Sequence, residues 1–188
     1  MKQQKVIIFS APSGSGKSTI VQHLISLHPE MEFSVSATSR EPRGSERDGV
    51  EYHFLSNARF EELIAQDAFI EWEQVYRSYY YGTLKSEVQK IWDKGHVAIF
   101  DVDVKGGVNL KKYFGGKALS IFIKAPSIQE LRRRLIGRGT DSAEAIEERV
   151  AKAAEELTYE DKFDAVVVND ELEKAFSDAE NLVDGFLK

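Results

Sequence analysis

Along this chain, short unbroken apolar runs alternate with stretches of helical period, a pattern that predicts a layered α/β fold. The first run, Val6 to Phe9, is β-branched and aromatic and reads as a buried strand. A loop of small residues follows, then a helix opening at Lys17, Ser18 and Thr19. Ile20, Val21, Leu24, Ile25 and Leu27 keep that helix's apolar face until His28-Pro29 ends it. Phe33–Ala37 and Val50–Leu55 alternate as strands, Asn57 is placed to cap a short helix, and Phe69–Val75 reads as another strand. With no long helix between them, these strands predict a small antiparallel insert. Tyr79–Thr83 closes the insert and caps a helix from Leu84 to Lys94, which Gly95 terminates. His96–Phe100 is a buried strand that delivers Asp101 and Asp103 at its C-terminal end, and Ala118–Lys124 is another strand. Ser127 and Glu130 form a capping box for a helix with Leu131 and Leu135 on its apolar stripe. A further helix begins near Ser142 and carries Arg149; Asp164–Val168 is a last buried strand ending in Asn169-Asp170; Leu172–Leu187 is a closing amphipathic helix. The sum is a parallel sheet of about five strands flanked by helices. The expected core is 1–33, 84–125 and 158–188, with a β-rich insert near 34–83 and a helical lid near 126–157.

The strand–loop–helix at the N-terminus carries the chemistry. Gly14 and Gly16 lack a Cβ, so successive backbone N–H groups can turn toward phosphate oxygens, and the helix start adds partial positive charge there. Lys17 supplies a point charge for the β- and γ-phosphates, and the Ser18 hydroxyl is placed to hold Mg²⁺. This is a P-loop, Ala11-Pro12-Ser13-Gly14-Ser15-Gly16-Lys17-Ser18-Thr19, with Ala11 where the motif has its first glycine. A strand-end aspartate is the usual partner of such a loop, and Asp101 fills that place, meeting Mg²⁺ directly or through water. If the strand continues, Asp103 points the same way and reaches a second substrate. Arg40 and Arg43, three apart around Pro42, can clamp a second phosphate bidentately. Glu71, between Ile70 and Trp72, suits a directional acceptor for an N–H-bearing ligand edge. Arg132 and Arg133 read as a solvated helix face, whereas Arg138, between Gly137 and Gly139, sits on a mobile lid where an arginine can neutralise a phosphoryl group in transfer.

Composition narrows the partners. A net charge of −6 over 188 residues excludes a general nucleic-acid-binding surface, so any phosphate site is built locally. Without cysteine there are no disulfides, thiolate nucleophiles or thiolate metal sites, and the four histidines have no metal-ligand spacing. No apolar run is long enough for a signal peptide or a membrane span, so a cytoplasmic protein without membrane partners is expected, as monomer or homodimer. A P-loop, a strand-end acid, an arginine clamp and a lid together describe phosphoryl transfer from a nucleoside triphosphate to a small phosphorylated acceptor, by positioning and charge neutralisation.

APSGSGKST, SVSATSREPRGSERDGVEYHF, FIEW, YYGT, DVD, RLIGRGT and VVVND stand in the order and spacing of guanylate kinases, and over nearly its whole length the chain resembles that family. The resemblance implies an enzyme that converts ATP and GMP to ADP and GDP with Mg²⁺. It implies that Arg40, Arg43, Tyr52 and Tyr81 hold the GMP phosphate, that Glu71 accepts from guanine N1 and N2, that Ser36 and Thr83 contact the base and that Asp103 helps to orient it. Lys17, Arg138 and Arg149 would stabilise the transferring phosphoryl group, with Arg134 a weaker candidate, and Asn169 would lie near adenine. Tyr81 takes its role from its spacing to Gly82 and Thr83, which leaves Tyr80 as a substitute; Lys105 stands where the family commonly has glutamine. Two alternatives stand beside this reading: a non-catalytic guanylate-kinase-like module holding a phosphopeptide, and a P-loop kinase for another phosphorylated acceptor.

Overall fold

The computed structural model describes residues 4–75, 79–139 and 142–188. Its chain divides into two compact units, one of residues 32–98 with the extreme N-terminus, the other of residues 5–31 and 99–188. Ser78, Thr140 and Asp141, which fall in the predicted insert end and lid hinge, lie outside the described residues.

Two sheets carry the fold. Five strands run in the order β2 (Met31–Phe33), β7 (Val97–Asp101), β1 (Val6–Ser10), β8 (Ala118–Lys124) and β9 (Ala165–Val168). In the larger unit β1 pairs parallel with β8, and β8 with β9. Central position explains composition: every residue of β1 is buried, as a strand covered on both faces requires. β9 lies at the edge, so it is not the wholly buried strand its Val-Val-Val sequence predicts: Val167 is buried, and Val166 and Val168 are exposed. Asp164 anchors its start, accepting from the Ser120 backbone N–H at 2.8 Å and hydroxyl at 2.9 Å while Lys111 pairs with it at 2.8 Å.

Helices α1 (Lys17–Leu27) and α7 (Leu172–Leu187) match their predicted spans. Helix α4 (Val104–Phe114) was not foreseen, because Gly106 and Gly107 interrupt its pattern. Gly107 is required there, since a Cβ would meet Ser10 Oγ at 2.5 Å. Helices α5 (Ile128–Gly137) and α6 (Ala143–Leu157) pack together over Leu131, Leu135, Ile146 and Ala153. Ser127 caps α5 by accepting from the Glu130 N–H at 3.1 Å, but the return half of the predicted box is absent because the Glu130 carboxylate bonds Arg133 and Arg134 instead.

The smaller unit holds the second sheet, β4 (His53–Phe54), β3 (Ala37–Thr38), β6 (Tyr79–Leu84) and β5 (Phe69–Val75), in that order. It is mixed and not wholly antiparallel: β3 pairs parallel with β4 and antiparallel with β6. The predicted strands 33–37 and 50–55 shrink to two-residue pieces; in the second, the Val50 and Glu51 N–H groups go to the Arg47 carbonyl in a turn and the Phe54 N–H goes to Asp48 Oδ1. Tyr79–Thr83 belongs to strand β6 and does not cap the next helix: Leu84 is the N-cap of α3 (Lys85–Asp93), and the Thr83 hydroxyl is committed to Glu71. Ser56, not Asn57, caps α2 (Asn57–Ala65), accepting from Arg59 N–H.

The core of this unit is aromatic, with Phe60 fully buried and stacked on Phe69 and Tyr80 at centroid distances of 4.3 and 5.2 Å. Phe60→Ala is expected to destabilise the smaller unit by about 3–5 kcal/mol; urea unfolding followed by tryptophan fluorescence measures it, and a loss below about 1 kcal/mol would show that the cluster does not hold this unit together.

Candidate active site

In the larger unit, the chain between β1 and α1 turns twice through conformations that favour glycine, at Gly14 (φ 92°) and Gly16 (φ 87°). Gly16 is the N-cap of α1, so the helix opens at Lys17. Ala11 does not need the glycine it replaces, since Asp67 is the one non-glycine residue with positive φ among the described residues.

The loop lines a cavity of about 430 Å³ together with Asp101, Asp103, Arg138 and Arg149. The Lys17 ammonium is paired with the Asp101 carboxylate. Arg149, exposed on α6, reaches Ser13 Oγ at 3.5 Å, and Arg138 is exposed at the C-cap of α5. Asp103 faces this cavity for a reason other than the predicted one. The strand stops at Asp101, and Asp103 caps α4, its Oδ1 accepting from Gly106 N–H at 2.7 Å. Lys105 is exposed on the first turn of α4, and nothing around it explains the exchange for glutamine.

Asn169 and Arg134 do not line the cavity; they brace the loop. Asn169 is nearly buried, and its Nδ2 donates to the Ser15 carbonyl at 2.9 Å. Arg134 donates to the Asn169 carbonyl at 2.9 Å and to Glu130 at 2.8 Å, so its guanidinium is engaged away from any transferring group. Beside Arg133 and Arg134, the Glu130 carboxyl is held down to about 2. Arg132 and Arg133 are the solvated, acid-paired face expected of them.

Two residues of this cavity were missed: Lys152 and Glu156, which follow Arg149 at helical spacing on α6 and so share its face. Glu156 is buried, and desolvation raises its carboxyl above the ordinary range, partly offset by Lys152.

The smaller unit assembles the second candidate set. Arg40 is nearly buried; its Nε donates to the Tyr81 hydroxyl at 3.1 Å, and its guanidinium lies 5.0 Å from the Tyr52 ring centroid. Tyr52 and Tyr81 meet edge to face at 5.9 Å. Strand alternation separates the two candidate tyrosines: Tyr81 stands beside Arg40, whereas Tyr80 stacks on Phe60 and donates to Glu61 at 3.1 Å. Glu71 and Thr83 are cross-strand partners, and the Thr83 hydroxyl donates to Glu71 Oε1 at 2.7 Å. Ser36 is half-buried, its carbonyl accepting from His53 N–H at 2.9 Å. Arg43 is exposed, and the fork of Arg40 is closed on Glu46.

A glycine-turned loop opening a helix against a strand-end aspartate, on a parallel sheet, defines a P-loop nucleotide phosphotransferase. Residues 3–185 match the guanylate kinase family model. The chain is 56% identical over 185 residues to a guanylate kinase of Bacteroides fragilis, covering 98% of this chain and 91% of that one. It is 49% identical over 172 residues to one of Chlorobaculum tepidum, covering 92% and 88%. Among solved structures, the guanylate kinase of Anaplasma phagocytophilum superposes with a TM-score of 0.69 at 25% identity, over 98% of this chain and 87% of that one. The chain therefore belongs to the guanylate kinase family.

Gly16 offers a direct test of the loop. A Cβ there would occupy a left-handed conformation costing about 1–2 kcal/mol and would stand 2.2 Å from Asn169 Nδ2. Gly16→Ala is expected to weaken ATP binding by tenfold or more with the fold retained, read by calorimetric titration beside a circular dichroism spectrum. ATP affinity within twofold of wild type would remove the loop from the nucleotide site.

Proposed function

We propose that this protein transfers the γ-phosphoryl group of ATP to GMP, giving ADP and GDP in purine nucleotide metabolism. The observation that carries the reading is the pairing of an intact P-loop in one unit with an arginine–tyrosine anion site and a Thr83-oriented Glu71 in the other.

The P-loop amides from Ser13 to Thr19 and the start of α1 receive the triphosphate of ATP. Lys17 meets the phosphates, while Arg138 and Arg149 neutralise charge as the phosphoryl group moves. The helical pair of residues 126–157 serves as a lid that excludes water during transfer. Arg40, Arg43, Tyr52 and Tyr81 take the GMP phosphate, Glu71 accepts from the guanine N–H edge, and Ser36 and Thr83 complete the contact with the base. Asp103 orients GMP, and Asn169 holds the floor of the phosphate loop beside the adenine. The acceptor phosphate is its own nucleophile, so the chain has to position and neutralise but need not provide a strong base.

The donor set fits Mg²⁺: the Ser18 hydroxyl and Asp101 carboxylate are hard oxygen ligands on one cavity, and among the described residues no group of three or more His, Cys, Asp or Glu could hold a metal ion by itself. A magnesium ion held by Ser18 and Asp101, directly or through water, would neutralise triphosphate charge. The described helices include none long and apolar enough to cross a membrane, and small nucleotides met in the cytoplasm, by a monomer or homodimer, suit the two sites.

Coupled-assay turnover of Mg·ATP with GMP, dGMP, AMP, CMP, UMP and dTMP offered singly tests the reading, with strong activity on GMP and little on AMP expected. Glu71→Gln is expected to raise the KM for GMP by about tenfold or more while leaving that for ATP unchanged; equal losses for both would count against the guanine contact. Lys17→Ala is expected to lower turnover by at least about a hundredfold in a folded protein. A wild type that binds GMP without turnover would favour a phosphopeptide-holding module.

A further inference from the structure

Glu46 lies within the acceptor-site stretch but was assigned no role there, yet it holds both Arg40 and the backbone of Arg43. Its Oε2 accepts from Arg40 Nη1 at 2.6 Å and its Oε1 from Arg40 Nη2 at 2.8 Å, a two-pronged pair with a guanidinium that is only 6% exposed. The same carboxylate accepts from Arg43 backbone N–H at 2.8 Å, and the Glu46 N–H donates back to the Arg43 carbonyl at 3.1 Å. Glu46 is thus fastened both to the 43–46 turn and to Arg40.

The hydrogen inventory of Arg40 shows what this does. A guanidinium has five N–H donors. One goes to Tyr81, two to Glu46 and one to the Glu41 carbonyl, which leaves a single Nη2 proton. Because Tyr81 accepts from Arg40 through its oxygen, its own O–H proton remains available as a donor. The Arg40–Glu46 pair carries no net charge, so full positive charge at this site comes from Arg43, which is exposed.

Resting on the functional reading above, we propose that Glu46 is a positioning residue for the phosphate of GMP. It fixes Arg40 so that the phosphate meets one Nη2 proton and the Tyr81 hydroxyl, with Arg43 as the exposed charge, instead of meeting two open arginine forks. The opposite role, a carboxylate that competes with the phosphate for Arg40, would require the Glu46 side chain to leave, and the bond its Oε2 accepts from the Arg43 backbone N–H opposes that. Arg40 first, and the Arg43 N–H second, hold the Glu46 carboxyl down to about 2, so it stays charged wherever GMP is bound.

The test compares wild type with Glu46→Gln, which keeps the shape and removes the charge, and Glu46→Asp, which keeps the charge and shortens the reach. Both are expected to raise the KM for GMP by about tenfold or more, the scale of a lost charge-assisted pair, with kcat and the KM for ATP within about twofold. Calorimetric binding should show the loss for GMP and not for guanosine, which lacks the phosphate. Tighter GMP binding by Glu46→Gln would show that Glu46 competes with substrate, and an unchanged KM would show that it has no role. Equal losses for GMP and guanosine, or for ATP, would reduce it to a structural residue. If wild type neither binds nor phosphorylates GMP, the functional reading fails and this proposal with it; if wild type works and only the variants behave otherwise, this proposal alone is lost.

Discussion

A protein of net charge −6 that takes two phosphorylated nucleotides has to hold its cations ready, and here three of them are paired with carboxylates. Lys17 is held by Asp101, Arg40 by Glu46, and Arg134 by Glu130. These pairs differ in what they accomplish, and burial decides the difference. Arg40 is nearly buried, where an unpaired guanidinium would cost several kcal/mol; its position is therefore inseparable from that of Glu46. Lys17 and Asp101 lie on an open cavity where water and phosphate oxygens can replace either partner at small cost, which suits groups that must exchange partners during a reaction. Arg134 is tied also to a backbone carbonyl, so it serves the scaffold.

What could be read from the sequence follows from how local its cause is. The P-loop, α1, β8 and α7 depend on periodicity and glycine placement within a few residues, and their bounds match the reading closely. The strands of the smaller unit depend on which distant segment supplies the next hydrogen bond. Alternation in Phe33–Ala37 and Val50–Leu55 therefore announced extended chain but could not show how little of it pairs as strand. Helix α4 was hidden because Gly106 and Gly107, poor helix formers, are there for closeness to Asp103 and Ser10.

The candidate site divides along the same line. Lys17, Asp101 and Arg138, which sit in motifs, come to one cavity with Arg149 of the following helix. The supporting roles of Glu46 and Asn169 could not be read, because a support is defined by what it touches, and those contacts run from 3 to 154 residues along the chain. Helical spacing from Arg149 to Lys152 and Glu156 was a usable signal that the charge-rich composition of α6 obscured.

Asn169 shows why supports matter to the chemistry. A loop whose N–H groups converge on phosphate must point some carbonyls the other way, and a buried carbonyl needs a donor. Asn169 Nδ2 supplies it to Ser15, and the close approach this demands is possible because Gly16 has no side chain. The glycine of the motif thus serves two requirements together, the left-handed turn and the room for a brace. Arg134 then fixes the Asn169 carbonyl to α5, so a continuous set of bonds joins that helix to the floor of the phosphate loop. Through that connection α5 braces the Ser15 carbonyl, and with it the loop, without Arg134 or Asn169 lining the cavity.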